Sequence, residues 1–266
     1  MQASAFFKRV YIKLSRYLFG KRFLPVMEGP LKGYLWSTAS SYEYILGNYE
    51  DPETIKTFLS WLKPGTVFYD LGANAGFYAL LANRFISTGR IYSFEPSPAA
   101  QEIFQQHVKR NQSFISHDNI RLLPYALSDA EKQVEFSNDE LRKEGNTYIT
   151  GSSVFSHADK YLTVPCYSID GLLKLDYDKP DIIKIDVEGA EYDVLQGALE
   201  TLKKYKPNLL LATHDYHLPG VKNKCVQLLQ QLGYHLIHTG GYNKHLPGLD
   251  DYIAVHESRR TNGTPH

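Results

Sequence analysis

From residue 53 onward, short β-rich runs alternate with longer helical ones, and this rhythm restricts the possible folds more than any single residue does. Residues 54–62 read as a helix, stopped by Pro64-Gly65. Strands are expected at 67–71, 91–95, 120–127, 181–187, 208–213, 234–239 and 252–256. Helices are expected at 75–85, 98–110, 190–204 and 221–232. Residues 130–168 interrupt the pattern, with two added strands, 134–136 and 162–167, flanking a polar stretch at 138–153. Strands separated by helices imply an α/β, doubly wound, mostly parallel sheet covered on both faces. Ligands of such sheets sit beyond the carboxyl ends of the strands, where the strand order reverses. Residues that carry chemistry should therefore follow the first, second, fourth and fifth strands.

At 266 residues and 43% hydrophobic content, the chain can bury the core of one large domain with an extension. The expected division is an extension and lid at 1–50, a cofactor-binding domain at 51–256 and a tail at 257–266. Lysine and arginine total 29, as do aspartate and glutamate, so no overall field draws the chain to nucleic acid. Zinc-finger spacing and RNP aromatics are also missing, and no nucleic-acid partner is expected. Cys166 and Cys225 lie far apart without CxxC spacing, which suits a reducing, cytoplasmic setting. Residues 5–19 are too short and too charged to span a bilayer and lack the apolar core of a secretion signal. At helical spacing Phe7, Val10, Tyr11, Leu14 and Leu18 share a face, with Lys8, Arg9, Lys13 and Arg16 largely opposite. Such a helix either rests on the anionic inner face of a membrane or packs on its own domain or a partner subunit.

The first strand runs into Asp70-Leu-Gly-Ala-Asn-Ala-Gly76. Gly72 permits close backbone approach to a ligand, Asn74 sits within the turn, and Gly76 opens the next helix. A dinucleotide fold would use Gly-x-Gly-x-x-Gly and bring a pyrophosphate there. Here the spacing differs, and Asp70 puts an anion where a cationic amino-acid group would be welcome. The turn therefore favours S-adenosylmethionine over NAD. Glu95 follows the second strand about 20 residues beyond Gly76, the separation at which an acid accepts both hydroxyls of an adenosine ribose. In the fourth strand Lys184, Asp186 and Glu188 fall on one face by alternation, too polar for ordinary packing in a strand buried on both sides. His214 ends the fifth strand, where it faces Asp186 across adjacent strand ends.

With these residues in place the chain resembles the FkbM-type methyltransferases from about Gly47 to His256. The resemblance rests on Gly47-Asn-Tyr-Glu50, the 70–76 turn, Phe94-Glu95-Pro96, Ala126-Leu-Ser-Asp129 and, most specifically, Lys184-Ile-Asp-Val-Glu-Gly-Ala-Glu191. Ala212 departs from the glutamate that members often carry two residues before the histidine. The resemblance implies a class I, Rossmann-like, seven-stranded sheet with its last strand antiparallel. It also implies O-methylation by S-adenosylmethionine, often of sugars or glycosylated natural products.

On that reading Asp186 and His214 are the candidate bases and Lys184 orients the aspartate. Asp70 faces the methionine amino group, Glu95 the ribose and Asp129 the adenine side, while Tyr49 and Glu50 belong to a lid. A divalent metal held by Asp186 is the minority alternative, because the sequence shows only one firm ligand. The acceptor is a small molecule or glycan, selected by residues 1–50 and 138–160. Two rivals remain: an NAD-dependent oxidoreductase, and a cofactor-binding module of glycan assembly without turnover.

Overall fold

The computed structural model describes residues 10, 11, 14, 15, 17, 22–40, 42–47, 51–115, 117–137, 161–239 and 247–259. Glu50 and the polar 138–153 stretch lie outside the described residues, as does most of 5–19. Of that segment Val10, Tyr11, Leu14, Ser15 and Tyr17 are helical; Ser15 is buried while Tyr11, Leu14 and Tyr17 are exposed. No helix among the described residues is long and apolar enough to cross a membrane.

A hairpin of β1 (Phe23–Pro25) and β2 (Leu35–Ser37) precedes a short helix, α1 (Tyr42–Leu46). None of the three was expected, because strands of three residues carry no legible period. Helix α2 (Pro52–Trp61) begins at an Asp51 cap whose carboxylate accepts from the Glu53 and Thr54 amides. The parallel core then builds as β3 (Val67–Leu71), α3 (Phe77–Asn83), β4 (Arg90–Phe94), α4 (Pro98–Arg110) and β5 (Ile120–Leu123). The expected strand at 120–127 stops at Leu123, where Pro124 cannot donate to a ladder. Its remainder, β6 (Ala126–Leu127), joins β7 (Lys132–Ser137) and β8 (Tyr161–Tyr167) in a separate three-stranded sheet.

Helix α5 (Ile169–Lys174) returns the chain to β9 (Ile182–Ile185). The expected helix at 190–204 is two, α6 (Glu191–Gln196) and α7 (Leu199–Tyr205), broken at Gly197. A side chain at Gly197 would start 2.1 Å from the Ser128 carbonyl oxygen, so the break lets the helix pair pass that loop. Strand β10 (Asn208–His214), helix α8 (Val221–Gln231), β11 (Tyr234–His238) and β12 (Leu249–His256) follow, with a 3-10 turn at Glu257–Arg259.

The central sheet has the order β11-β12-β10-β9-β3-β4-β5. β12 runs antiparallel to both neighbours and every other pair is parallel. The order reverses between β3 and β9, so the cleft belongs beyond those two strands. Alternation along the strands sorts the core into two layers. Phe68, Ile182 and Leu210 face Phe58, Leu80 and Phe104, whereas Tyr69, Leu71, Ile183 and Leu211 face Val194, Leu202 and Leu229.

The N-terminal hairpin is pinned to this body through His107 of α4. Its Nδ1–H donates to the Ala75 carbonyl at 2.8 Å, and its Nε2 accepts the Ser37 amide at 2.8 Å. The Trp36 ring stacks on it at 3.9 Å. Burial, opposed by the bond to Ala75, lowers this imidazole to about 4. Between about pH 6.5 and 4 the unfolded chain takes up a proton here and the folded chain does not, so stability falls as pH drops through that window. In urea unfolding, the wild type should lose up to about 3 kcal/mol more than His107→Asn between pH 7 and pH 4. Identical pH profiles would contradict the assignment.

Candidate active site

Pairing of β3 with β9 sets Asp70 opposite Lys184, so both side chains leave the same face of the sheet. Lys184 Nζ donates to the Gly72 carbonyl at 2.9 Å and lies 3.1 Å from Asp186 Oδ2 and 3.6 Å from Asp70 Oδ1. The Tyr78 ring covers it at 5.6 Å. Burial pushes the Asp70 carboxyl up to about 6, with Lys184 pulling it back. At Asp186 burial acts the same way, but Lys184 and His214 outweigh it and hold that carboxyl below its usual range.

The expected strand at 181–187 ends early, at Ile185. Glu188 and Gly189 turn the chain at φ 54° and 109°, and this turn, rather than alternation, aims the two acids. His214, at the end of β10, meets them. Its Nε2 lies 3.5 Å from Asp186 Oδ1 and 3.6 Å from Glu188 Oε2. On its other side Nδ1–H donates to Glu191 Oε1 at 2.7 Å, an oxygen that also accepts the Gly189 amide. Burial disfavours the charged ring, yet the bond to Glu191 and the charges of Asp186 and Glu188 prevail and raise it to about 9. Tyr216 donates its hydroxyl to Glu188 Oε2 at 2.8 Å, and His217 Nε2 approaches the same oxygen at 3.1 Å.

Glu191, Tyr216 and His217 were not assigned from the sequence. A signal for Glu191 existed. It stands three and four residues before Val194 and Leu195, on the helix face that packs inward.

Beside this cluster opens a cleft of about 750 Å³, a figure that includes its open mouth. Gly72 and Asn74 form its floor, Asp186 and Glu188 one side, and Glu95 the other; Tyr125, Leu127 and Phe136 supply an apolar wall. Gly72 is irreplaceable, since at φ +72° a Cβ would sit 1.9 Å from the Asp186 carbonyl oxygen. Glu95 is 6% exposed, and its carboxylate accepts the Asn74 amide at 2.8 Å and the Ser97 amide at 2.9 Å. Burial, opposed by these two bonds, raises it to about 7. Three carboxylates line the cleft and no lysine or arginine does, among the described residues.

Three sequence assignments are placed elsewhere. Asp70 is 1% exposed and lies beneath the turn, because strand register points it at Lys184 and not into the cleft. Gly76 supports the helix start: at φ +87°, a Cβ would meet the Phe104 ring at 2.5 Å. Asp129 turns outward to Lys132 and the Ser128 hydroxyl, leaving that wall to Tyr125, Ala126 and Leu127. Gly72, Asn74, Glu95 and Asp186 share the cleft, and Lys184 and His214 adjoin it through Asp186.

A sheet of this order with its polar groups gathered at the carboxyl edge is the fold of class I methyltransferases, and the chain belongs to the FkbM methyltransferase domain family, whose profile matches residues 70–236. The resemblance read from the 70–76 turn, Glu95 and the 184–191 segment is thereby confirmed. Among curated relatives, the hexuronic acid methyltransferase AglP of Haloferax volcanii is 23% identical over 154 residues, covering 58% of this chain and 58% of its own. The 2-O-methyltransferase NoeI of Sinorhizobium fredii is 27% identical over 53% of this chain and 61% of its own length. The chain thus spans less than two thirds of either relative. Among solved structures, FkbM from Methylobacillus flagellatus KT superposes with a TM-score of 0.49 at 17% identity, covering 72% of this chain and 44% of that one.

Lys184→Met strips the buried Asp70 and Asp186 of their shared cation and should cost about 3–5 kcal/mol in denaturant unfolding. Adding Asp70→Asn should recover part of that loss. Additive losses would show that the two side chains do not communicate.

Proposed function

We propose that the chain is an S-adenosylmethionine-dependent O-methyltransferase acting on a hydroxyl of a sugar, glycan or glycosylated natural product. The observation that carries this reading is the charge of the cleft. Glu95, Asp186 and Glu188 line it without a lysine or arginine among the described residues, an environment that attracts a sulfonium and repels a pyrophosphate. The missing third glycine of the phosphate fingerprint points the same way and weighs against NAD.

Bound there, the cofactor supplies an electrophilic methyl group. The chain's own residues then have three tasks. Glu95, fixed by two backbone amides, presents its carboxylate to the ribose hydroxyls. The Gly72 turn admits the amino-acid end by close backbone approach. Asp186 accepts a hydrogen bond from the acceptor hydroxyl, and His214, in its neutral form, takes the proton at Nε2, with Lys184 and Glu191 fixing their orientation.

Asp186 also borders a second, smaller hollow of about 390 Å³ including its open mouth, between Tyr78, Thr54, Asp251 and Tyr252. A carboxylate shared by two cavities suits in-line displacement, where acceptor and cofactor approach from opposite sides. The printed activities of the relatives from Haloferax volcanii and Sinorhizobium fredii support a carbohydrate acceptor.

Calorimetric titration separates this reading from its rival. S-adenosylmethionine should bind and NAD should not, and Glu95→Ala should weaken the binding at least tenfold. With a uronic acid or hexose glycoside as acceptor, Asp186→Asn should lower turnover by about 10²–10⁴. Binding of NAD in place of S-adenosylmethionine would overturn the proposal.

A further inference from the structure

The oxygen and nitrogen atoms that converge at the cleft form a ligand set. We propose that Asp186, Glu188 and His214 bind one divalent transition-metal ion, of the Mn²⁺ or Zn²⁺ kind, at the junction of the cofactor cleft and the second cavity. The inference rests on the methyltransferase reading for its purpose but not for its evidence.

One ligand atom from each of the three residues lies within 4.8 Å of the others. The separations from His214 Nε2 are 3.5 Å to Asp186 and 3.6 Å to Glu188. Those gaps are long for hydrogen bonds. They are close to the ~3.4 Å that separates ligand atoms placed ~2.1 Å from one tetrahedral ion.

The surroundings are those of a metal-ligating histidine. Glu191, fully buried, accepts the Nδ1–H at 2.7 Å and thereby fixes Nε2 as the ring atom that faces the two carboxylates and would bind an ion on losing its proton. The other Glu191 oxygen is buried without a hydrogen-bond partner, as are both oxygens of Asp70. Among the described residues Asp70 and Asp186 meet Lys184, and Glu188 and Glu191 meet His214. Lys184 holds Oδ2 of Asp186 and leaves Oδ1 toward His214. Two carboxylates and a neutral imidazole would balance the charge of a dication.

The imidazole favours a borderline ion over magnesium or calcium. The ligands are also not sealed in, since the Asp186 and Glu188 side chains are 37% and 25% exposed. Open coordination positions toward the cleft mark a catalytic site rather than a structural one. An ion there would polarise an acceptor oxygen bound as a further ligand.

The test is calorimetric titration of the chelator-treated full chain with MnCl₂ and, separately, ZnCl₂, with Mn²⁺ electron paramagnetic resonance as a second readout. One equivalent should bind, and Glu188→Gln should weaken it at least tenfold with its circular dichroism spectrum unchanged. Absence of binding by both ions would overturn the proposal, as would binding that Glu188→Gln and Asp186→Asn leave unaltered. S-adenosylmethionine binding is measured on the same chelator-treated protein. If it persists while metal binding fails, the metal site alone is rejected; if it fails while the metal binds, the cofactor assignment is rejected and the metal site stands.

Discussion

A buried ammonium organises the carboxyl edge of this sheet. Lys184 reaches Gly72, Asp70 and Asp186 at once, and so joins β3, the turn that follows it and the end of β9. A lysine in a strand buried on both faces is costly unless paired. Here the pairing has a positional result, because it sets the Asp186 carboxylate between the cleft and the second cavity. Asp70 counters the lysine from below, which explains why an aspartate at the head of a cofactor turn is inaccessible to a ligand.

Around that anchor the protein separates two duties. On one side of the cleft Glu95 is fixed by two backbone amides, and on the proposed function would meet the nucleoside. The other side gathers Asp186, Glu188 and His214, backed by Glu191, and on the proposed function would receive the acceptor hydroxyl. A helix-terminal glutamate, a strand-terminal histidine and a left-handed turn residue converge there because β9 and β10 are neighbours. Parallel pairing brings their loops to the same rim.

Much of this was readable in the sequence. The strand–helix rhythm located all seven central strands, and Lys184, Asp186 and Glu188 stood out as polar residues in an apolar run. What the sequence leaves out has particular causes. For Asp70 the sequence shows proximity to a turn but not cross-strand register, which pairs it with Lys184. Asp129 was drawn into the site by its motif, whereas its neighbour Lys132 holds it at the surface. The hairpin of β1 and β2 escaped because it is organised by a distant contact, the Ser37 amide on His107. Apolar content predicts one strand over 120–127, but the backbone breaks it at Pro124.

The central claim is that the acid-lined cleft between β3 and β9 holds an adenosyl amino acid through Glu95. A crystal structure of the chain with S-adenosylhomocysteine tests it most directly. The account predicts both ribose hydroxyls within hydrogen-bond distance of the Glu95 carboxylate and the homocysteine end over the Gly72 turn. A nucleoside seated outside this cleft, or one whose ribose leaves Glu95 without a contact, would contradict it.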